Sequence, residues 1–455
     1  MRQILNKKLH ILIFLSFFLF YLSYFKNIYI SFWDEICWVG KSYHFDLFVN
    51  GDFDNPLWEH PNSYDQPKLG ELFFGMALYP QYLIAKAEEG GDYDYIKFLI
   101  DRNIYYFADG DPSKPDYGGY IASRSDYTPL NKGEWGSAET LIENYGAGIQ
   151  KTIDLIYSAR AANSLLAALA VVVVYSLSLL LLNKSQALMV TLLFGLNHFF
   201  IETSLMAHSE ALFYLLFIYG LFLLIKAINK KELKIRDILA FSVVSGLSIS
   251  TKLNGAVLLI ILNLYLGSLA IAFFIVTKKI NLKLLKIAIV GNLLALIVFV
   301  LTNPFVFRDP LRRTYSMFRY RQLEALDQQI GFPKDALLTF PARIISIFDA
   351  YLLHGKEFSY PFSQPVFIST SQYFAVINTL IIIFGFVNLI VLRAKKDLIF
   401  ISFFFIVLTS MGFYLLLAWP RYYAPLLIFF MVFQGVGLYY TFGFVKAFLR
   451  RISSK

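Results

Sequence analysis

Long apolar stretches alternate with short polar ones along most of the chain. A helix needs about 20 mainly apolar residues to cross a bilayer, and ten stretches reach or approach that length. They are residues 9–30, 157–182, 187–203, 209–227, 238–250, 255–276, 287–302, 373–392, 398–418 and 425–444. Hydrophobic residues make up 57% of the chain and charged ones only 16%, whereas soluble proteins carry about 25% charged residues. The pattern predicts an all-α polytopic membrane protein with about 10–11 transmembrane helices.

Two polar segments interrupt this pattern, and we expect both to lie outside the membrane. Residues 32–152 are acidic and rich in Tyr, Gly and Pro, and residues 303–370 carry several Arg and Pro residues. With the apolar stretches they form a single domain, residues 1–455. Amphipathic patterns inside them predict surface helices at 69–87 (broken at Pro80), 93–106 and 336–353, and an irregular loop at 109–136.

The basic residues set the expected orientation of the chain. Its formal charge of +9 reflects cytoplasmic loops rather than nucleic-acid binding, because Lys and Arg concentrate on that side of membrane proteins. With the ten stretches threaded alternately, the short loops of one side are basic, and most of the acidic residues fall in 32–152 on the other. We therefore expect cytoplasmic termini, a retained first helix, and a bacterial or archaeal plasma membrane.

Ionisable side chains gather on the predicted extracytoplasmic side. The acids are Asp34, Glu35, Asp65, Glu71 and Glu210, and the cations are Lys68, Arg160, Lys252, Arg308 and Arg421. A carboxylate can take a proton from an attacking hydroxyl, and Lys or Arg can hold a phosphate and stabilise its charge as it leaves. The set indicates chemistry on an anionic lipid headgroup. Two simpler interpretations stay open. Glu210 pairs with Arg160, or the Lys252 side chain only extends from the end of a span to the membrane–water interface.

Several of these residues lie in motifs that resemble a known family. Trp33-Asp34-Glu35, at the end of the first helix, resembles the Asp-Glu signature of C-type glycosyltransferases, polytopic enzymes that use polyprenyl-phosphate sugars. Residues 64–71 resemble a segment of the protein O-mannosyltransferase branch (glycosyltransferase family 39-like), from which Gln66, Lys68 and Glu71 depart. Other motifs similar to that branch are 207–212, 250–255, 303–310 and 421–425.

The resemblance implies a GT-C-like fold and one inverting transfer of sugar from a polyprenyl-phosphate donor to an acceptor hydroxyl. Asp34 would be the general base, and Glu35 would orient the acceptor or a cation. The resemblance also suggests binding roles: Lys68, Arg160, Lys252 and Arg421 for the donor phosphate or lipid, and Asp65, Glu71 and Glu210 for the acceptor or sugar. The phosphate leaves without protonation, so no second acid is needed.

Metal and cysteine chemistry are only weakly indicated. The family leaves a divalent metal, Mg or Mn, open, and Asp52 and Asp54 have the Asp-x-Asp form. Such spacing is common in acidic loops, so we assign no metal site to it. Cys37 is the single cysteine, which excludes an intramolecular disulfide.

Other functions stay open at this point. One is a transferase of the same fold that modifies lipid A, like the aminoarabinose transferases, or a cell-wall polymer. Another is a flippase for lipid-linked sugars or a different transporter, which we would expect to have charged or broken helices in mid-membrane; the stretches here read as unbroken. A third is a scaffold without catalysis. The apolar stretches imply membrane lipids as partners, and the resemblance implies a polyprenyl-phosphate sugar. Neither identifies the sugar, the polyprenol length or the acceptor (protein, lipid or glycan).

Overall fold

A computed structural model of the chain describes residues 2–59, 66–91, 93–102, 104, 135–230, 233–353, 372–392 and 395–453. Its α-helices are α1 (Arg2–Tyr24), α2 (Phe32–Gly40), α3 (Tyr43–Val49), α4 (Leu69–Glu89), α5 (Tyr95–Ile100), α6 (Ala138–Tyr145), α7 (Gln150–Leu181), α8 (Lys184–Gly195), α9 (His198–Leu205), α10 (Glu210–Ile228), α11 (Ile235–Thr251), α12 (Val257–Thr277), α13 (Leu282–Leu301), α14 (Pro310–Gly331), α15 (Phe340–Phe348), α16 (Gln372–Leu392), α17 (Lys395–Tyr414) and α18 (Leu427–Ser453). The strands are β1 (Ile30–Ser31) and β2 (Trp135–Gly136), which pair antiparallel.

Within the described residues, seven helices are long and apolar enough to cross a membrane, and a bent pair raises the number to eight. They are Lys8–Asn27, Ala147–Leu181, Glu210–Ile228, Leu253–Thr277, Leu282–Leu301, Lys396–Tyr414 and Arg421–Ile452. Two further predicted stretches are helical but shorter: α11 has 17 residues, and the apolar part of α16 is Val376–Val391. The all-α polytopic class is confirmed, with fewer full-length spans than the ten predicted.

The bent pair corrects the expectation of unbroken spans. The predicted third span, 187–203, is two helices, because α8 ends at Gly195 and α9 begins at His198 with a bend of 56°. Asn197 has an extended backbone, and its side chain accepts a hydrogen bond from the backbone N–H of Phe200. Asn is a favoured residue for starting a helix in this way, so the second half starts as a new helix.

The segment 32–152 packs against one end of the bundle. The predicted break at Pro80 is wrong, since α4 runs through this residue without interruption. Of the predicted surface helix 93–106, the described part forms α5, which Asp94 caps by accepting a hydrogen bond from the backbone N–H of Lys97; residues 103, 105 and 106 lie outside the described residues. Most of the predicted irregular loop 109–136 lies outside the described residues.

The segment 303–370 contains a helix that the sequence did not predict. This helix, α14, has 22 residues and starts at Pro310, directly after the capping residue Asp309. Pro is well suited to a first helical turn, where its missing N–H costs no hydrogen bond. The predicted amphipathic helix 336–353 is shorter, and consists of α15 and a π-turn at Asp349–Leu353.

Two buried apolar clusters hold these parts together. The larger one fills the helix bundle around α1, α7, α10 and α18. The smaller one lies beneath 32–152, with Trp58, Phe74 and Tyr95 packed near the start of α7. The second cluster fixes the acidic segment to the end of the bundle where the motif residues lie.

Candidate functional site

Lys252 lies where the α11 helix ends and the chain turns toward α12. It has an extended backbone, and a 3₁₀ turn, Leu253–Ala256, follows. A Cβ on Gly255 would lie 2.5 Å from the carbonyl carbon of Ser248, so this return of the chain requires glycine. The turn directs the Lys252 ammonium to Glu210, the first residue of α10, with 2.5 Å between Nζ and Oε1.

Glu35 and Arg160 form a second buried ion pair. Nε of Arg160 donates to Oε1 of Glu35 over 2.7 Å, and Nη2 donates to Oε2 over 2.6 Å. Its remaining donors go to the backbone oxygens of Phe25, Ile28 and Tyr29. Glu35 also accepts from the backbone N–H of Ala207 at 2.7 Å. Because a guanidinium has five N–H donors, this set uses all of them and clamps α2, the end of α1 and α7 together.

This clamp changes the interpretation of three predicted residues. The alternative that Glu210 pairs with Arg160 is wrong, since each has a different partner. Arg160 directs every donor to the protein, which favours a structural role over a contact with a phosphate. Glu35, predicted to orient an acceptor or cation, instead holds the start of α2.

Lys68, Glu71 and His44 form a buried cluster inside the acidic segment. Nζ of Lys68 lies 2.9 Å and 3.0 Å from the two carboxylate oxygens of Glu71. Nδ1 of His44 lies 2.6 Å from Oε2 of the same carboxylate, and its ring stacks on Trp58. All three charged or titratable side chains are fully buried. Lys68 and Glu71, predicted as phosphate and sugar ligands, are thus engaged with each other.

The cluster shifts the pKa of its members. Burial lowers the pKa of His44 from 6.5 to about 4, against the opposite pull of the Glu71 carboxylate. Burial alone would raise the pKa of Glu71, but the positive charge of Lys68 and the contact with His44 lower it below its ordinary value. The cluster therefore contains an ionised carboxylate beside a neutral imidazole near neutral pH.

Asn303 joins the acidic segment to the Lys252 turn. Its side-chain oxygen accepts a hydrogen bond from the backbone N–H of Lys68 at 2.7 Å. Its amide nitrogen lies 3.2 Å from the hydroxyl of Ser250, two residues before Lys252. Motifs from three distant parts of the sequence, 64–71, 250–255 and 303–310, therefore meet at one end of the bundle.

A cavity of about 610 Å³ opens beside Lys252. Its polar lining includes Gln66, Lys252, Asn254, Arg321 and Gln322, and its apolar lining includes Val257, Ile260, Phe318, Phe413, Leu415 and Leu417. The walls come from α12, α14 and the end of α17. Two cations at one side and a long aliphatic and aromatic wall fit an amphiphile with an anionic head.

Arg421 belongs to the group of charges that includes Lys252 and Glu210. It lies on the 3₁₀ turn Pro420–Leu426, with its guanidinium 5.2 Å from the ring centre of Trp419 and 5.6 Å from that of Tyr422. It is close enough to interact electrostatically with Glu210 and Lys252. Tyr422 itself lines the cavity, so Arg421 stands at its edge.

The remaining predicted site residues lie elsewhere or outside the described residues. Asp34 is in α2, but its side chain is not among those described, and Asp65 is outside them entirely. Asp54 pairs with Arg308, with 2.5 Å between Nη2 and Oδ1, and Asp52 accepts a hydrogen bond from Asn55. The two carboxylates thus have separate partners, and nowhere in the described ranges do three His, Cys, Asp or Glu side chains form a group that could hold a metal ion.

Sequence reasoning missed two members of the site. Arg321 lies on α14, a helix that was not predicted, and was seen only as one of several arginines in a polar loop. His44 carries no motif, and only its position near the acidic motifs could have drawn attention to it. By contrast Gln66, Asn303 and Tyr422 stand inside the quoted motifs.

Comparison with known proteins adds no family assignment. No family model and no curated protein matches this chain.

Proposed function

We propose that this protein is an integral-membrane glycosyltransferase of GT-C-like architecture that moves a sugar from a polyprenyl-phosphate donor to an acceptor hydroxyl. The observation that carries the proposal is the cavity beside Lys252, with Lys252 and Arg321 at its polar side and Val257, Ile260 and Phe413 along its wall. A polyprenyl phosphate has the same division between an anionic head and an apolar chain. The motif resemblance supports the same donor.

The donor phosphate would lie between Lys252, Arg321 and Arg421. Lys252 is the most firmly positioned of the three, because the Glu210 carboxylate holds its ammonium at a fixed place at the cavity. As the sugar–phosphate bond breaks, both electrons stay with the phosphate oxygen, and nearby cations stabilise the charge that collects there. Glu210 would act as a positioning residue for Lys252 rather than as a sugar ligand.

Asp34 would accept the proton of the acceptor hydroxyl while its oxygen attacks the anomeric carbon of the sugar. This proposal rests on its place in α2, directly before Glu35. Because Arg160 and the backbone of Ala207 hold Glu35, the first turn of α2 is firmly anchored. A fixed base is what a single-step displacement needs.

Transport is the second candidate function, favoured by one observation. The helix pair α8 and α9 is broken within the bundle, and His198 lies 3.1 Å from the buried carboxylate of Glu202 just after the break. Broken helices with charged residues are typical of transporter sites. A transporter would move a lipid-linked sugar without cleaving it.

The test compares donor turnover by purified protein in lipid nanodiscs for the wild type, Ile260→Trp and Leu264→Trp. Ile260 lines the cavity, whereas Leu264 lies one turn further along the same helix, does not line the cavity and is similarly exposed. Filling the cavity should raise KM for a radiolabelled polyprenyl-phosphate sugar by about tenfold or more, a loss of about 1.4 kcal/mol in binding. Leu264→Trp should match the wild type. Equal KM values in all three proteins would remove the cavity from the donor site.

A further inference from the structure

A second large cavity lies at the other end of the bundle from Lys252. It has a volume of about 620 Å³ and is lined by Leu233, Lys234, Ile235, Arg236, Lys283, Lys286 and Ile287. It lies where α11 and α13 begin, and α11 runs from there to the Lys252 turn. This is the face that carries the basic loops and is predicted to be cytoplasmic.

Four cations from two helices share this cavity. Lys234, Arg236, Lys283 and Lys286 are all exposed. Among the described residues, no hydrogen bond or ion pair joins Lys283 or Lys286 to a carboxylate, and the neighbouring Asp237 is held by Lys230 at 2.7 Å. Like charges that line one cavity repel one another, so an anion that bridges the two helices would be stabilising.

The apolar surroundings of the cavity indicate what kind of anion fits. Ile235 and Ile287 form part of its lining. On α13, Ile289, Leu293 and Ile297 follow at intervals of four residues and are 57%, 54% and 45% exposed. Residues at this spacing share one helix face, and the helix is a candidate membrane span. An apolar stripe therefore leads from the cations into the bilayer.

We propose that this cavity binds the headgroup of an anionic phospholipid. Its phosphate contacts Lys283 and Lys286 on one side and Arg236 on the other, and its acyl chains lie along the stripe of Ile289, Leu293 and Ile297. Basic pockets between membrane helices are suited to such headgroups. The lipid would join the start of α11 to α13 at the face opposite the Lys252 site.

The experiment measures lipid retention by native mass spectrometry after titration with cardiolipin, phosphatidylglycerol or phosphatidylcholine. The variant is Lys283→Gln/Lys286→Gln. The control, Lys279→Gln/Lys446→Gln, removes the same charge from two exposed lysines at the same end of the bundle. Wild type and control should prefer the anionic lipids, and the variant should lose about thirtyfold in apparent affinity for them.

Two results would overturn the proposal. An equal loss in the control variant would mean that only the general charge of this face attracts the lipid. Inorganic phosphate or glycerol phosphate that displaces the lipid at similar concentrations would mean that the site recognises a soluble anion and that the apolar stripe contributes nothing. Thermal unfolding of each variant verifies that the lysine replacements leave the fold intact.

Discussion

The Glu35 carboxylate and the Arg160 guanidinium, 125 positions apart in the chain, form a doubly hydrogen-bonded ion pair that is fully buried. Removing one partner of such a pair leaves a buried charge without compensation. We therefore expect Arg160→Gln to lower the free energy of unfolding by about 3–5 kcal/mol. The measurement is the midpoint of thermal unfolding in detergent.

The control for this prediction is Lys151→Gln, an exposed residue on the same helix. It should unfold at the wild-type temperature. If Arg160→Gln unfolds together with the control, Arg160 does not clamp α2, and its predicted role at a phosphate regains support.

The pair also marks a limit of sequence reasoning. The sequence identified Glu35, Arg160, Glu210 and Lys252 as functional candidates, and the topology correctly brought them to one end of the bundle. It did not give their partners, because motif matching reports which residues occur but not how the intervening helices rotate. The break in the third span was missed for a related reason: hydropathy averages over Asn197, whereas the cap that this residue makes depends on local geometry.

Stability should fall as the pH is lowered because of His44. Its pKa is about 4 in the folded protein against 6.5 ordinarily, so the unfolded chain binds a proton first. The contribution of His44 to the free energy of unfolding is therefore fully present above about pH 6.5. It is lost progressively down to about pH 4, by about 3 kcal/mol at most. The lowered pKa of Glu71 acts in the same direction over the lower part of this range.

The measurement is the unfolding midpoint of wild type and His44→Gln across that pH range. The variant has no imidazole to protonate, so its midpoint should vary less between about pH 6.5 and pH 5. Parallel curves for the two proteins would show that His44 is not the group that titrates.

Arg321 should affect donor binding more than folding. Its guanidinium lies at the cavity and contacts Glu324, with both side chains partly exposed. A hydrogen bond to a charged group is worth about 1.5–3 kcal/mol, so Arg321→Gln should raise KM for the donor by about tenfold or more with little change in the unfolding midpoint. The matched control is Arg319→Gln, an exposed arginine on the same helix. An equal effect of both substitutions would assign the change to the general charge of α14.

The most direct test of the central claim is turnover of a panel of radiolabelled polyprenyl-phosphate sugars by wild type, Asp34→Asn and Asp52→Asn in nanodiscs. The account predicts that wild type and Asp52→Asn cleave at least one donor and that Asp34→Asn is slower by about a hundredfold or more, as expected when a general base is lost. Equal turnover by all three would contradict the role of Asp34. Folded wild type that cleaves no donor in nanodiscs but moves it across the bilayer of sealed liposomes would contradict the glycosyltransferase assignment and favour a transporter.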